Sequence, residues 1–534
     1  MQESATQKTP QSHAVPPQDR VPRGQKIAYG LGTFHDMWGH WLYPNLGFQV
    51  FNIFLGVAPW LVGFALFFNR VFDAISDPLF GWISDNTRTR WGRRRPFILV
   101  GGILAGIALP FLLAVTPGWG STHLNLGLHW DLNFFGWFNW AVDLRNLDIS
   151  NYFWFMIGSS AFYLPIMSCI NMPYNSLGQE MTPDYNERTS VWSYRNAVQK
   201  IPELGLFFAA QFMTMSIWVG ATGGNVFQRI GQLFTSGEGW KAAPDGTKPN
   251  ILLGAQVYCS VLGLLMIVGA IVMFFVLRER YYGQVVARKQ EKIKLKDTIY
   301  LTLKCKPFRM QLLMKMPYAM GTSMVGALGY YDTIYYVCKG DNAAGAVWNF
   351  SMGISGMVLG LCGIPVYAFI ANRLGKRGGI MAVLGTAIAV FVGTWWFYNP
   401  NHPWMQPLAS GFIAFTGAGF WMLDGAIGAD VIDYDELETG KRREGAFTAC
   451  GSWIMKVGMA IGALASGLIL SATGFDAALG GNQTPNTIFM IRLLLAAVPI
   501  VGILLALVMI YYFPLTPAKM AEIRTQLEAR RGKV

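Results

Sequence analysis

The sequence predicts an all-α membrane protein with twelve transmembrane helices, arranged in two pseudo-symmetric bundles of six helices, and with both termini in the cytoplasm. Three observations predict this fold class. Of the 534 residues, 53% are hydrophobic and only 13% are charged, about half the ~25% charged fraction of soluble domains. Apolar stretches of about 20 residues, long enough to cross a bilayer, recur along most of the chain. The two halves of the chain also carry corresponding motifs.

The predicted spans follow from the apolar stretches and from the polar breaks between them. Most of the 42 Lys and Arg residues fall between spans on one side of the membrane, which the positive-inside rule assigns to the cytoplasm. The net charge of +12 therefore indicates membrane topology and not a nucleic-acid partner. The twelve spans are predicted at residues 27–53, 58–84, 95–117, 149–181, 190–217, 251–277, 308–337, 343–371, 378–398, 404–433, 446–473 and 486–513.

The domain organisation follows from the same pattern. The N-terminal segment is rich in Gln, Pro and Ser and lacks the short apolar core of a cleavable signal, which predicts a disordered tail. A basic segment between the sixth and seventh spans separates the two halves. The predicted order is a cytoplasmic tail at 1–26, a first bundle at 27–277 with an outer insertion at about 116–150, a central cytoplasmic loop at 278–307, a second bundle at 308–514 and a cytoplasmic tail at 515–534.

Enzymatic and ATP-driven classes find no support in the sequence. The chain lacks the Gly-rich loop that cradles nucleotide phosphates, and the six histidines are scattered without a metal-binding spacing. The six cysteines have no paired spacing for a metal or a disulfide framework. We therefore expect neither an enzymatic activity nor a cofactor.

Internal repeats support two equivalent halves. The turn Trp91-Gly-Arg-Arg94 returns as Leu374-Gly-Lys-Arg377, 283 residues later, and an acidic Asp-Tyr pair at Asp184 returns at Asp433, 249 residues later. The two offsets differ by 34 residues, which the outer insertion at 116–150 accounts for. Two parallel repeats of six spans are the architecture of major facilitator transporters.

Three stretches resemble the glycoside-pentoside-hexuronide:cation symporters of that superfamily, a family that includes the bacterial melibiose permease. They are Arg70-Val-Phe-Asp73-Ala-Ile-Ser-Asp77-Pro78, Met172-Pro173-Tyr174-Asn175 and Ala429-Asp430-Val-Ile-Asp433-Tyr434. The resemblance covers about residues 27–514. It implies a multi-pass transporter of the bacterial inner membrane that couples inward flow of H⁺ or Na⁺ to uptake of a glycoside, an oligosaccharide or a sugar acid.

A cation site is expected on the second span. Asp73 and Asp77 are four residues apart and therefore share one helix face, and charges inside a bilayer are costly enough to suggest a function. Arg70 offers an alternative, a buried salt bridge with a structural role. The resembling family uses the two aspartates for Na⁺, Li⁺ or H⁺, so a Na⁺ ion at Asp73 and Asp77 is possible, and the resemblance adds Ser168 and Asn171 to the site.

Four positions depart from the melibiose permease. That protein has a carboxylate at the position of Asn171 and an Asn at the position of Ser76. A site with one fewer negative charge attracts a metal ion less strongly, which favours H⁺ slightly over Na⁺ here. His35 replaces a Lys, and Asn175 replaces a Trp that binds the galactoside ring. The resemblance therefore implies another substrate than melibiose, with Asn171 and Asn175 among the residues that contact it.

The substrate site is expected where charged side chains of three spans converge. Asp36, Arg195 and Lys456 lie within predicted spans one, five and eleven, and charged groups make strong hydrogen bonds to sugar hydroxyls. The resemblance places them in one central cavity. Tyr43 and Trp421 are candidates to cover the apolar face of a sugar ring, although either aromatic would also fit a packed core.

Two further acidic residues lie within predicted spans. Asp332 and Asp424 are candidates for direct contact with the substrate. Each has an alternative: Asp332 would be solvated if it lies near the outer end of span seven, and Asp424 would pair with Lys456.

Charged residues at the inner ends of the spans are expected to form a gate between the halves. Exposed ion pairs are individually weak, so only a partly buried network would bias the conformational equilibrium. The alternative is that these residues only fix the topology. The predicted gate residues are Asp85, Arg88, Arg90, Arg93, Arg188, Asp430, Asp433, Arg442 and Glu444.

The outer insertion is predicted to fold as an aromatic element beside the outer entrance. It would act as a lid, as a platform on which a sugar stacks, or as an anchor in the membrane interface, where Trp is favoured. The expected partners are a small sugar and the lipid bilayer, with no nucleic acid, and a monomer is expected. Two other functions stay open, which are transport of a lysolipid or another amphiphile and a sugar sensor that transports nothing. The tryptophans of the insertion are Trp119, Trp130, Trp137 and Trp140.

Overall fold

The computed structural model of the chain is built almost entirely from long helices. It describes residues 20–87, 89–124, 129–134, 138–143, 147–182, 185–218, 249–279, 302–440 and 444–531. The first span, α1, runs through Arg23–Gly30, Gly32–Phe34, the π-helical His35–Leu42, Tyr43–Gly47 and the π-helical Phe48–Phe54. The other helices of the first half are α2 (Pro59–Asn86), α3 (Arg95–Ala108, followed by the 3-10 turn Pro110–Leu113), α4 (Asn151–Glu180), α5 (Tyr185–Met213) and α6 (Ile251–Val276).

The second half repeats this arrangement. Its helices are α7 (Lys306–Tyr331, continued by the π-helical Asp332–Val337), α8 and α9 (together Asn342–Phe397), α10 (Met405–Thr439), α11 (Glu444–Ala472) and α12 (Pro485–Tyr511). A further helix, α13 (Pro517–Arg531), follows the last span. The predicted twelve-helix fold is confirmed.

The repeated turns have the same physical basis in both halves. Gly92, between α2 and α3, has φ 108°, and Gly375, which separates α8 from α9, has φ 75°. Side chains disfavour this left-handed region, so glycine fits both turns. Close packing adds to the requirement, because a methyl group at Gly375 would lie 2.8 Å from Pro517 Cγ. In the first half, the Glu279 carboxylate accepts hydrogen bonds from the backbone N–H groups of 93–95 at 2.7–2.9 Å.

Hydropathy separates the helices into two groups. Seven described helices, counting Asn342–Phe397 as one, are long and apolar enough to cross a membrane. The helices α1, α2, α5 and α7 fall outside this group, and they carry Asp36, Asp73, Arg195 and Lys315. Charged residues on a spanning helix face the interior of a bundle or a water-filled cavity. These four helices therefore direct polar groups toward the interior.

The outer insertion has a backbone of antiparallel strands. Strand β1 (Ser121–Leu124) pairs with β4 (Leu147–Ser150), and β2 (His129–Phe134) pairs with β3 (Phe138–Asp143). At its base, Trp119 stacks on Tyr152 with ring centroids 5.5 Å apart. We call this side of the molecule the insertion end and the side with the turn at Gly92 the linker end. The side chains of Trp130, Trp137 and Trp140 lie outside the described residues, so a lid or anchor role stays a prediction.

Both ends of the described chain lie at the linker end. The backbone N–H of Val21 donates to Glu187 Oε1 at 2.7 Å, and Lys26 Nζ lies 2.8 Å from the same oxygen. Pro517, at the start of α13, packs against the turn at Gly375. The helix α1 begins at Arg23, four residues before the predicted start. That the linker end faces the cytoplasm stays a prediction from the charge distribution.

The two halves pack tightly against each other at the insertion end. A methyl group at Gly467 of α11 would lie 2.5 Å from the carbonyl oxygen of Pro59, and one at Gly63 of α2 would lie 2.9 Å from Gly467 Cα. The helices α5 and α8 also pack closely at this end, since Gly353 of α8 faces the ring of Phe207 of α5. The hydrophobic core of the first half also extends to Leu470 and Phe475 of the second half. The structure is therefore closed at the insertion end.

Replacing Gly467 by Ala is expected to shift the protein toward a state that is open at the insertion end. The added methyl group would meet backbone atoms that cannot move aside without separating α2 from α11. Reaction of a charged maleimide with a cysteine placed at Ser471, in a protein without its native cysteines, measures the opening and should become faster. Gly451 of α11 has free space beside it, so Gly451→Ala is the matched control. Equal labelling rates in the two variants would contradict the expectation.

Candidate functional site

An ion-pair cluster between the halves forms the centre of the site. Asp73 and Asp77 of α2 share one face, as their spacing predicts, and both point at Lys456 of α11. Lys456 Nζ lies 2.9 Å from Asp73 Oδ2 and also donates to Asp77 Oδ2. The ammonium group thus stands between the two carboxylates that were expected to share a cation.

The helix α4 contributes hydroxyl groups to this cluster. Ser168 Oγ donates to Asp77 Oδ1 at 2.7 Å, and Ser76 Oγ lies 2.7 Å from Ser168 Oγ. The sequence-predicted Ser168 therefore reaches the acidic pair directly. With Lys456 on its other oxygen, the Asp77 carboxylate has a partner for each oxygen atom.

His40 is a member of the cluster that the sequence analysis missed. Its Nε2 lies 3.2 Å from Asp73 Oδ1, and its Nδ1 lies 2.9 Å from the side-chain nitrogen of Asn171. These two contacts fit a neutral imidazole that donates from Nε2 and accepts at Nδ1. The amide oxygen of Asn171 is buried and has no hydrogen-bond partner among the described residues. The signal that could have found His40 is its position four residues after Asp36, on the same helix face.

Arg70 lies behind the cluster in the first half. Its Nη2 donates to the carbonyl oxygen of His40 at 3.3 Å, and its Nη1 lies 3.9 Å from Asp73 Oδ2. The guanidinium also lies over the ring of Trp41, 4.8 Å from the centroid. The structural salt bridge considered for Arg70 is thus present as a long contact.

A second ion pair in the first half joins α1 to α5. Arg195 Nη2 lies 3.1 Å from Asp36 Oδ2, and Arg195 Nε donates to the hydroxyl of Tyr174 at 3.2 Å. That hydroxyl donates in turn to the carbonyl oxygen of Tyr29 at 2.9 Å. Because the insertion end is closed, the 27% of the Asp36 side chain that is exposed is reached from the linker end. The sequence-predicted Asp36 and Arg195 are brought together.

A third ion pair lies in the second half. Lys315 Nζ of α7 is 2.8 Å from Asp424 Oδ2 of α10, and Gln311 Nε2 donates to Asp424 Oδ1 at 2.9 Å. Lys315 also lies 5.4 Å from the ring centroid of Trp421. The alternative that Asp424 pairs with Lys456 is therefore wrong, because Asp424 pairs with Lys315 of α7. A lysine within an otherwise apolar span was the available signal for Lys315.

Three further predicted residues occupy different environments. Tyr43 is buried and packs edge-on against Phe51, whereas Asn175 is half-buried on α4. Asp332 is 2% exposed, so the alternative of a solvated position at the outer end of span seven is wrong. One oxygen of Asp332 has no hydrogen-bond partner among the described residues. Substrate contact by Tyr43 and Asn175 stays a prediction.

Three of the described gate residues make contacts within their own halves. Asp430 Oδ1 lies 2.7 Å from Lys376 Nζ, the backbone of Arg93 bonds to Glu279, and Arg90 lies over the ring of Trp91. Asp433 is half-buried on α10. A lock between the halves stays a prediction. Outside the described residues lie Arg88, Arg442 and the side chains of Asp85, Arg188 and Glu444.

The comparisons with known proteins agree with this architecture. A family model described as MFS/sugar transport protein matches residues 49–517. The isoprimeverose transporter of Lactiplantibacillus pentosus is 24% identical, with 96% of this chain and 93% of that protein covered. The glucuronide carrier protein homolog of Escherichia coli is 26% identical, with 95% of each chain covered. The fold resembles a bacterial homolog of the human lysosomal transporter Spinster in an inward-facing, unoccupied conformation, with a TM-score of 0.61, 12% identity, and 95% of this chain and 98% of that chain covered.

Proposed function

Since the chain belongs to the family of MFS/sugar transport proteins, we propose that it imports a glycoside or an oligosaccharide across the bacterial cytoplasmic membrane together with a cation. It is a membrane transporter and not an enzyme. The relatives named for isoprimeverose and glucuronide transport support a glycosidic substrate. Ion pairs that remain partly accessible, such as Asp36 with Arg195, offer both acceptors and donors to sugar hydroxyls.

The observation that carries the proposal is the ion bridge from Lys456 to Asp73 and Asp77. It joins the second half of the molecule to the first at mid-helix, between the closed insertion end and the linker end. Alternating access requires the halves to rotate about such a contact. A ligand or proton that weakens or strengthens the bridge therefore changes the balance between the two states, and by linkage each ligand changes the affinity for the other.

We propose H⁺ as the coupling ion, because Lys456 occupies the position between the carboxylates that a bridging Na⁺ would need. A metal ion would have to displace the ammonium group, whereas a proton needs only one acceptor. His40 supplies such an acceptor at Nδ1. A 180° rotation of the Asn171 amide would turn its oxygen, which has no partner among the described residues, toward the protonated Nδ1. Because Asn171 is neutral, the site also has one negative charge fewer than the site of the melibiose permease, which disfavours Na⁺.

Transport of a lysolipid is the competing function. Such a substrate needs an extended apolar surface for its chain, whereas this site presents three groups of ion pairs from six helices. A sugar sensor without transport would not need charged groups that bridge the halves. Binding of the lysolipid is one outcome of the test below.

A thermal-shift screen of the purified protein tests the proposal. Neutral glycosides, sugar acids and lysophosphatidylcholine are compared at pH 6 and pH 8, each with and without Na⁺. We expect stabilisation by a glycoside that depends on pH and not on Na⁺, since a ligand that binds the folded state raises the unfolding midpoint. Stabilisation by the lysolipid alone would contradict a sugar substrate, and a requirement for Na⁺ would contradict H⁺ coupling.

A further inference from the structure

The pair Lys315 and Asp424 lies at the edge of an aqueous space. The Lys315 side chain is 20% exposed, and a methyl group at the neighbouring Gly425 would meet no atom within 4 Å. A lysine facing lipid at mid-helix would cost about 2.5–3.5 kcal/mol even on insertion scales. The exposed part of Lys315 is therefore in contact with water inside the bundle.

The pair is held in a fixed geometry. Gln311 Nε2 donates both to Asp424 Oδ1 at 2.9 Å and to the Asp424 carbonyl oxygen at 3.0 Å. Lys315 Nζ has three donors, of which one reaches Asp424. Buried ion pairs seldom stabilise a fold more than apolar residues of the same size would. Within the described part of the chain, the pair is pre-positioned at a water-filled space and Lys315 has donors without a hydrogen-bond partner, which is better explained by ligand recognition.

An aromatic surface lies beside the pair. Trp421 is 36% exposed, and its ring lies 5.4 Å from Lys315 Nζ. Tyr318 packs edge-on against the indole at 5.9 Å and fixes its orientation. A pyranose ring has one apolar face, which an indole covers, and hydroxyls around its edge, which an ammonium and a carboxylate bind.

The repeat places this pair opposite the site of the first half. Asp424 follows Asn175 by the same 249 residues that separate Asp184 from Asp433, so Asp424 and Asn175 are equivalent positions of α10 and α4. The helix α11 lies between α2 and α7, because its Lys456 contacts Asp73 and Asp77 of α2 and its Gly458 packs against Met316 of α7. One ligand that extends past Lys456 would reach Asp36 on one side and Lys315 on the other.

The charges of this region are balanced. When His40 is neutral, the charges of the four cationic and the four acidic groups in this region cancel. A neutral ligand preserves this balance. A uronic acid would add a negative charge to a partly dehydrated site, where the four cationic groups already face carboxylates and the coupled proton on His40 lies beside Asp73. The groups are Arg70, Arg195, Lys315, Lys456, Asp36, Asp73, Asp77 and Asp424.

Building on the proposed transport function, we infer that Lys315, Asp424 and Trp421 form a second sugar subsite in the second half, and that the substrate is an uncharged saccharide of at least two rings. The first ring lies against Asp36 and Arg195. The second ring lies on Trp421, with its hydroxyls on Lys315 and Asp424.

Binding of defined saccharides to the purified protein tests this inference. The probes are cellobiose, maltose, lactose and melibiose, the methyl glycosides of their monosaccharides, and methyl glucuronide. The test variant carries Lys315→Met and Asp424→Leu together, because either change alone would leave an unpaired charge. The matched control, Lys519→Met with Glu522→Gln, removes an ion pair of 2.9 Å that is about half exposed on α13.

We expect the test variant to bind its disaccharide at least about 10-fold more weakly than the control, as the loss of a hydrogen bond to a charged group predicts. Binding of the monosaccharide glycoside should change less than about twofold, since that ring uses the first subsite. Trp421→Leu, which keeps the ion pair, should give the same selective loss. If the double variant unfolds at a lower temperature than the control, the Trp421→Leu protein is tested in its place.

Three results would overturn the inference. Equal disaccharide affinity in the test variants and the control would leave sugar transport intact but remove the second subsite. Binding of the monosaccharide or of methyl glucuronide in preference to every disaccharide would also leave sugar transport intact, and would exclude a neutral substrate of two rings. Failure of the unaltered protein to bind any of the saccharides would contradict the proposed function as well.

Discussion

The Asp77→Asn protein is expected to lose concentrative uptake while it still exchanges its substrate down a gradient. Asparagine preserves the shape of the side chain and can still accept the hydrogen bond from Ser168, but it removes half of the negative charge that holds Lys456. The bridge is then weakened whether or not His40, which contacts Asp73, is protonated, so proton binding changes it little. Coupling free energies are about 1–3 kcal/mol, so the cation-dependent gain in sugar affinity of about 5- to 150-fold should disappear.

Uptake of radiolabelled substrate into energised cells measures accumulation, and exchange in de-energised cells measures downhill movement. Glu522→Gln is the control, since it removes a carboxylate that is 53% exposed on α13. An Asp77→Asn protein that accumulates substrate as well as the control would remove Asp77 from the coupling site. Loss of downhill exchange together with accumulation would instead identify Asp77 as a residue needed for binding or folding.

The Arg195→Ala protein is expected to lose most of its affinity for the sugar. Its guanidinium holds Asp36 and Tyr174 at 3.1 and 3.2 Å, so its removal takes away the donors of the first subsite and releases both partners. Hydrogen bonds to charged groups are worth about 1.5–3 kcal/mol each, and the loss of two would weaken binding by about 150-fold or more. Folding should survive, because Tyr174 keeps its own bond to the carbonyl oxygen of Tyr29.

Titration of the purified variant with the preferred saccharide checks this expectation. The matched control is Lys200→Ala, which removes a cation one and a half turns along the same helix whose partner, Glu203, lies 2.7 Å away on α5 itself. Near-normal affinity in the Arg195→Ala protein would exclude Arg195 from the substrate site. Equal losses in both variants would point to a general disturbance of α5.

The sequence predicts the helices and the local part of the site because both depend on neighbouring residues. Apolar stretches define the spans, the glycines at 92 and 375 mark the repeated turns, and the spacing of Asp73 and Asp77 places them on one helix face. Each of these features follows from backbone geometry within a single segment.

The partners across helices could not be predicted in the same way. Asp77 and Lys456 are separated by 379 residues, and Lys315 and Asp424 meet only because α7 packs beside α10. His40 enters the cluster through a π-helical stretch of α1, whose wider turn changes which side chains face α2 and α4. Such contacts are set by how distant helices pack.

A pH recording during sugar entry tests the central claim, that sugar movement and proton movement share the site at Asp73, Asp77 and Lys456. The protein is reconstituted into liposomes with a pH-sensitive dye inside, and the saccharide that gave the largest thermal shift is added outside, in buffer without Na⁺. We expect internal acidification on addition of the sugar, and none in liposomes that contain the Asp77→Asn protein. Sugar entry without acidification, or acidification of equal size in the Asp77→Asn liposomes, would contradict the account.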